Sequence, residues 1–440
     1  MTAPAPAPAS TGFATVEDVE DLLADLQLQR AGLTGRSSDP AADRAAELAD
    51  ETAFLGLSPL VADLLGTSSP APRTTSALSH RADEDDRRAS YETWRAEART
   101  LLPELWQWLN ARRRSDQGRM WWCRSGARPV PETSARLLAE TSAPVRDLAP
   151  LAESWARPCG VREPTAEHNW RWLLLGTGLQ APLPRPYELI TKLVDEARGH
   201  GLLPPAHKVK VIRRAHAEPS AVPVRLPGFS LLTVPTAVAP ATIPRLQHEI
   251  ARIAEHAVRP PRARLADRWS FDPVRSEGWG LLLAGLVTAP GPLVRLGLPE
   301  QTAAAVTAFL AEEEHATRSL LAADLALAAD LGACNSTADA LVAAASTTAR
   351  TGLQAAPELM LLRQTRILDS RARLAGYAWR DEVTTELTAR FGTSWSHRTE
   401  AWQLLVEALS GTGTAADFLH TVRSAPKAPH PVVNRMLPVL

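Results

Sequence analysis

Residues 246–257 read LQHEIARIAEHA, a His-Glu pair followed two helical turns later by a second His. Apolar residues, among them Ile250 and Ile253, recur at helical spacing, so the segment predicts an amphipathic helix. What remains open is the role of His248 and Glu249 on that helix. Three interpretations fit the segment: a metal site, the remnant of one, or a helix with buried apolar residues and solvated polar ones.

The chemistry of zinc hydrolases shows what this helix would need. Two imidazoles and a carboxylate hold the metal, and a nearby Glu takes a proton from the metal-bound water. In the motif H-E-x-x-H the two His side chains share one helical face and reach one ion. His248 and Glu249 fill the first two positions, but Arg252 stands where the second His would be. His256 is eight residues from His248, about 12 Å along an unbroken helix. It can share a metal only if the helix breaks, and no Gly or Pro lies between them.

A downstream carboxylate adds to the pattern. Residues 276–280 read SEGWG, which places Glu277 in the next predicted helix. Together with VPVRLPGFSLLTVP (222–235), this order makes residues from about 190 to 440 resemble a bacterial family of helical, gluzincin-like zinc metallopeptidases. That family carries H-E-x-x-P-G-H, then an E-G-W-A segment, then a basic helix and closing helices. The P-G-H portion is absent from this sequence.

The resemblance implies a mainly α fold: a large helical, gluzincin-like metallopeptidase-type architecture with a small β element. It implies zinc as the cofactor, His248 and Glu277 as metal ligands and Glu249 as the general base. A metal-free form is the alternative, since a guanidinium at Arg252 can take the place of the cation and pair with either Glu.

A second pattern offers a further ligand. Glu312 and His315 form an E-x-x-H pair on one predicted helical face, beside Glu313 and Glu314. Helical bundles with two carboxylate-bridged metals use this spacing, but they need two such pairs and the sequence offers one. A solvated acidic helix face is the alternative interpretation. His315 is nevertheless a candidate for the missing imidazole ligand.

Other residues are candidates for the walls of a substrate pocket. Trp269 and Phe271 precede the predicted Glu277 helix, and a core role fits them equally well. Trp279 follows Glu277 by two residues. Arg373 stands in the late helix near the position where the family has a Tyr. Arg252 completes this predicted substrate pocket.

Composition excludes several classes of function. The 48 Lys and Arg residues against 49 Asp and Glu residues give a net charge of -1, so no global field favours nucleic acid or an anionic membrane. Three widely spaced cysteines exclude a Cys-based zinc site and a disulfide scaffold. The N-terminus lacks the pattern of a signal peptide, and no stretch of 18 or more uncharged apolar residues occurs. We therefore expect a cytoplasmic protein with no nucleic-acid or membrane partner.

The chain divides into three predicted regions. Residues 1–15 form a flexible Ala/Pro tail, and 16–190 form an N-terminal helical region with a loop at 66–90. Residues 191–440 form the gluzincin-like helical region. Two short strands are predicted near 207–235, from HKVKVIRRAH and LPGFSLLTVPTA.

Three hypotheses about function follow. The first is a divergent metal-dependent hydrolase that acts on a peptide or an amide-bearing small molecule, with ligands drawn from His248, Glu277, His256 and His315. The second is a metal-free pseudo-peptidase that serves as a binding or scaffold protein, with a protein partner. The third is a non-hydrolytic helical metalloenzyme built around Glu312 and His315.

Overall fold

The computed structural model describes eight stretches of the chain. These are residues 83–115, 144–179, 181–214, 218–225, 228–259, 272–364, 367–411 and 413–424. Most of them are helical. In chain order the helices are α1 (Glu84–Ser115), α2 (Ala149–Ala156), α3 (Glu167–Leu173), α4 (Pro186–Gly199), α5 (Thr242–Ala257), α6 (Pro273–Leu286), α7 (Pro290–Leu296), α8 (Glu300–Asp330), α9 (Thr337–Thr351), α10 (Pro357–Arg363), α11 (Ile367–Phe391), α12 (Thr399–Ser410) and α13 (Ala415–Ser424).

A small mixed sheet accompanies the helices. Its strands are β1 (Lys208–Arg214), β2 (Ser220–Arg225) and β3 (Phe229–Pro235), in the order β1-β3-β2. β1 runs parallel to β3, and β2 runs antiparallel to it. The two predicted strands are β1 and β3. β2 was not predicted, because Pro223 interrupts its pattern of strand-forming residues. Within a sheet, proline is found mainly in edge strands or at bulges, and β2 is an edge strand.

The first described helix begins inside a predicted loop. The sequence assigned 66–90 to a loop, but α1 starts at Glu84, and residues 66–82 lie outside the described part of the chain. Asp83 Oδ1 accepts the backbone N–H groups of Asp85 and Asp86 at 2.9 and 3.0 Å. Acidic residues in the first turn of a helix are also stabilised by the positive end of the helix dipole. The acidic residues 83–86 therefore lie at the start of a helix.

The core forms around α5 and α6. Ile250, Ile253 and Ala254 of α5 are buried, as the amphipathic pattern predicts. Trp279 of α6 is completely buried, and its Nε1 donates to the carbonyl of Ala251 at 2.9 Å. Trp279, which the sequence predicts as a pocket residue, thus lies in the core, because two helical residues rotate it by about 200° from Glu277.

Close packing of α6 on α11 brings two distant parts of the sequence together. A Cβ added at Gly376 would stand 2.8 Å from the backbone nitrogen of Gly278 and 3.0 Å from Cβ of Glu277. Only glycine allows this approach of the two backbones. The contact sets α11 against the turn of α6 that carries Glu277.

A helix that spans a membrane must be both long and apolar. No single one of the described helices meets both conditions. The consecutive helices α6 and α7, bent by 82° relative to each other, meet them only as a pair.

Candidate functional site

A cleft of about 690 Å³ lies between the helices. Its walls come mainly from α3, α5, α6, α8, α10 and α11, with an apolar stretch of Trp94, Trp170, Leu320 and Met360. His248, Glu249, Arg252 and Glu277 line it together with Arg373. The five residues are thus brought to one cavity, whose size is typical of ligand sites.

His248 lies between two carboxylates. Its Nδ1 is 3.3 Å from Glu249 Oε1, and its Nε2 is 3.3 Å from Glu277 Oε2. A Cβ at Gly280 of α6 would overlap the imidazole ring, so glycine at that position lets His248 pack flat against α6. Because the two carboxylates face opposite ring nitrogens, only Glu277 stands beside Nε2.

His248 and the two carboxylates shift one another's pKa values. Burial alone would lower the pKa of His248, but Glu277 and then Glu249 raise it above the ordinary value. Burial would raise the pKa of Glu277, but His248, Arg373 and Arg252 hold it at about 2. His248 and Glu277 therefore stabilise each other's charged forms.

Glu249 is held by three neighbours. Its Oε2 accepts the backbone N–H of Ala221 in β2 at 2.7 Å and lies 3.5 Å from Arg252 Nη1. Its Oε1 faces His248. Burial opposes ionisation, but Arg252 and then His248 lower the pKa of Glu249. The carboxylate is consequently a fixed anion in an ion pair and a weaker base than an ordinary Glu.

Two residues of α11 complete this end of the cleft. Arg373 and Tyr377, one helical turn further on, both line the cleft and are close enough for their charges to interact. Tyr377 is buried, and the guanidinium of Arg318 lies 4.4 Å above its ring. Burial raises the pKa of Tyr377. The sequence analysis missed Tyr377, although a Tyr four residues after Arg373 shares its helical face and was the available signal.

Two predicted ligands lie away from this group. His256 is on the same continuous helix as His248, and α5 has no break that would bring the rings together. His315 on α8 is exposed and is not part of the cleft wall. Glu312 is exposed beside it and accepts Trp155 Nε1 at 2.6 Å.

The two acidic residues before His315, unlike Glu312 and His315, are part of the cleft wall. Glu313 and Glu314 line the cleft, where Glu313 pairs with Arg245 at 3.3 Å and Glu314 pairs with Arg380 at 2.7 Å. Both carboxylates are thus neutralised by arginines. The predicted wall residues Trp269 and Phe271 lie outside the described residues.

The cleft residues that the structure describes do not fit a three-ligand zinc site. His248 Nε2 and Glu277 offer two donor atoms, and Arg252 occupies the position of the third. A catalytic zinc ordinarily has three protein ligands. The cations His248, Arg252 and Arg373 also outnumber the carboxylates Glu249 and Glu277, so the local charge opposes a dication.

Elsewhere in the described residues, one group of three side chains has ligand atoms close enough to hold a metal. It consists of Glu84, Glu163 and His168. Arg88 pairs with Glu163 at 2.8 Å, and Arg162 pairs with Glu84 at 3.4 Å. The arginines already balance the two carboxylates, and the group is not part of the cleft wall.

The His248 cluster predicts a window of pH in which it stabilises the fold. The pKa of Glu277 is lowered from 4.5 to about 2, so its contribution is present above 4.5 and is lost as pH falls toward 2. The pKa of His248 is raised from 6.5, so its contribution is present below 6.5 and is lost as pH rises through the folded value. Glu277→Gln should therefore lower the free energy of unfolding most between about pH 4.5 and 6.5. Urea denaturation of both proteins from well below this range to well above it measures the difference, and a difference that is the same inside and outside the range would contradict the assignment.

Comparisons with known proteins agree with this architecture. No family model matches the chain, and no curated protein matches it. Among solved structures, PZ peptidase A with inhibitor 2 is similar with a TM-score of 0.57 and 12% identity, over 94% of this chain and 78% of that one. The M32 carboxypeptidase from Deinococcus radiodurans R1 is similar with a TM-score of 0.52 and 12% identity, over 94% of each chain. The fold is mainly α and gluzincin-like, as the sequence predicts.

Proposed function

We propose that the protein is a metal-free binding protein built on a metallopeptidase-type fold, which holds a peptide or amide-bearing ligand in its cleft without cleaving it. One observation carries the proposal: Arg252 occupies the position of the second His ligand and forms an ion pair with Glu249. The guanidinium supplies positive charge where the related architecture would use a cation.

The state of Glu249 supports the same conclusion. A general base must be within reach of the water it deprotonates, with a pKa near the working pH. Here Ala221, His248 and Arg252 engage the carboxylate, and its pKa is lowered. The group is suited to fixing Arg252 and the edge strand β2 in place.

A metal-dependent hydrolase is the second candidate, and one observation favours it. His248 Nε2 is buried and makes no hydrogen bond among the described residues, although it stands 3.3 Å from Glu277. A nitrogen and a carboxylate oxygen in that arrangement are two zinc donors, and a third would have to come from a group not described here.

Metal content and peptide hydrolysis separate the two candidates. Protein purified without a His tag or chelator should contain well under one zinc per chain and take up none on dialysis against zinc. The acetylated tripeptide Ac-Ala-Leu-Leu should remain intact by chromatography with the wild type and with Glu249→Gln alike. About one zinc per chain, lost in a folded His248→Ala, Glu277→Ala double variant, would overturn the proposal. So would cleavage that Glu249→Gln abolishes.

A further inference from the structure

The arginines of the cleft differ in whether they have a carboxylate partner. Six line it, and five have a carboxylate oxygen within 4.0 Å. These pairs are Arg171 with Glu167, Arg245 with Glu313, Arg252 with Glu249, Arg363 with Asp324 and Arg380 with Glu314. Arg373 has no such partner among the residues that the structure describes. It is the cation with which an incoming anion can pair.

The hydrogen bonds of Arg373 are also incomplete. A guanidinium carries five N–H donors, which match a carboxylate in a planar, two-point fashion. The buried Nε of Arg373 has no hydrogen-bond partner in the described part of the chain, and no carboxylate oxygen there lies within 4.0 Å of the guanidinium. A buried donor without a partner is costly for a fold, so the place of Arg373 in the cleft wall indicates a ligand that compensates it.

The neighbours of Arg373 select the kind of anion. Tyr377 shares the helical face of Arg373, and its O–H can donate to a second oxygen of the same ligand. Glu277 and Glu313 act on the charge of Arg373 from more than 4.0 Å away. The planar guanidinium matches the two coplanar oxygens of a carboxylate. A single carboxylate suits this arrangement best.

We propose that Arg373 and Tyr377 form a binding site for a carboxylate group of the ligand, and that the C-terminal carboxylate of a peptide is the group bound. This inference rests on the proposed function only in that the ligand stays intact in the cleft. Trp170 and Met360 are among the apolar residues that line the cleft, and they offer surface to the rest of the peptide.

Three peptides test the site by isothermal titration calorimetry with the full chain. They are Ac-Ala-Leu-Leu with a free C-terminus, its C-terminal amide, and the amide of Ac-Ala-Glu-Leu, which carries a side-chain carboxylate. The wild type should bind the free acid and neither amide. Arg373→Gln should weaken binding of the acid by roughly 10- to 100-fold, with a smaller loss for Arg373→Lys, because an ammonium keeps the charge but not the planar fork.

The thermal unfolding temperature distinguishes a binding role of Arg373 from a structural one. Arg373 makes no ion pair within 4.0 Å in the described residues and acts on Glu277 only at longer range, so Arg373→Gln should lower the thermal unfolding temperature only slightly while it weakens binding. Arg350→Gln is the charge-matched control, since Arg350 pairs with Asp330 and is not part of the cleft wall. It should bind the acid as the wild type does.

The outcomes separate the inference from the proposed function. Equal affinity for the acid and its amide, no binding of any peptide, or undiminished binding by Arg373→Gln would each overturn the carboxylate site. Selective binding of the Glu-containing amide would overturn the assignment to a C-terminus. Cleavage of the bound acid, followed by chromatography, would overturn the proposed function and leave the carboxylate site standing.

Discussion

Replacing Arg252 by His should complete the donor set of a zinc site in the cleft. Position 252 is one helical turn from His248 and lines the cleft, so an imidazole there faces the same space as Nε2 of His248. The change removes one cation and adds one nitrogen donor. With Glu277 the donor set becomes two imidazoles and a carboxylate, which is the set of a catalytic zinc site.

The expected effect is large and direct. Arg252→His should bind about one zinc per chain with roughly micromolar or tighter affinity, measured by competition with a chromogenic chelator. Arg252→Gln is the matched control, because it removes the same charge without supplying a ligand, and it should bind no zinc tightly. Adding Glu277→Gln to Arg252→His should abolish the gain. Zinc binding by Arg252→Gln as strong as that of Arg252→His would show that position 252 is not the missing ligand.

A gain of zinc need not bring a gain of activity. Ala221 N–H would still hold Glu249 Oε2 at 2.7 Å, although the pairing with Arg252 would be gone. We therefore expect Arg252→His to bind metal without acquiring efficient peptide hydrolysis. The ligand set and the freedom of the general base are separate requirements of the reaction, and this variant restores only the first.

Local pattern was sufficient for part of this fold. The period of apolar residues predicts α5, and alternation predicts β1 and β3. β2 was not predicted, because Pro223 interrupts its strand pattern. α1 begins earlier than predicted, because the acidic residues of its first turn resemble those of a solvated loop. These errors arise where one residue type serves two structural purposes.

The cleft was harder to predict because its residues meet through long-range packing. Glu277 and Tyr377 are far apart in sequence, and they share a wall only because Gly278 and Gly376 let α6 and α11 approach closely. Neither glycine is conspicuous in the sequence. The burial of His248 and Glu249 could not be foreseen either, since an amphipathic helix normally exposes such side chains.

The buried ion pair between Arg275 and Glu255 should be a main determinant of stability. Both side chains are 1% exposed, and Arg275 Nη2 lies 3.0 Å from Glu255 Oε1. Arg275 Nη1 also donates to the carbonyls of Gly411 and Gly413 at 3.1 and 2.6 Å. One guanidinium thus ties α6 to α5 and to the segment before α13.

Arg275→Met should lower the free energy of unfolding by about 3–5 kcal/mol, because it leaves the Glu255 carboxylate buried without its cation. Urea denaturation followed by circular dichroism measures this. The double variant Arg275→Met, Glu255→Met should recover much of the loss, since replacing both charges of a buried pair by apolar groups of similar size is often tolerated. The two Gly carbonyls would still lack their donor, so recovery should be incomplete.

An exposed pair provides the comparison. Arg423 pairs with Glu386 at 2.8 Å, with side chains 47% and 32% exposed, and Arg423→Met should cost much less stability than Arg275→Met. Equal losses for Arg275→Met and Arg423→Met would refute the importance of burial. Because the Arg275 pair joins the helices that carry His248 and Glu277, Arg275→Met should also weaken zinc binding when combined with Arg252→His. That result would show that the spacing of the two donors is set by the packing of α5 on α6.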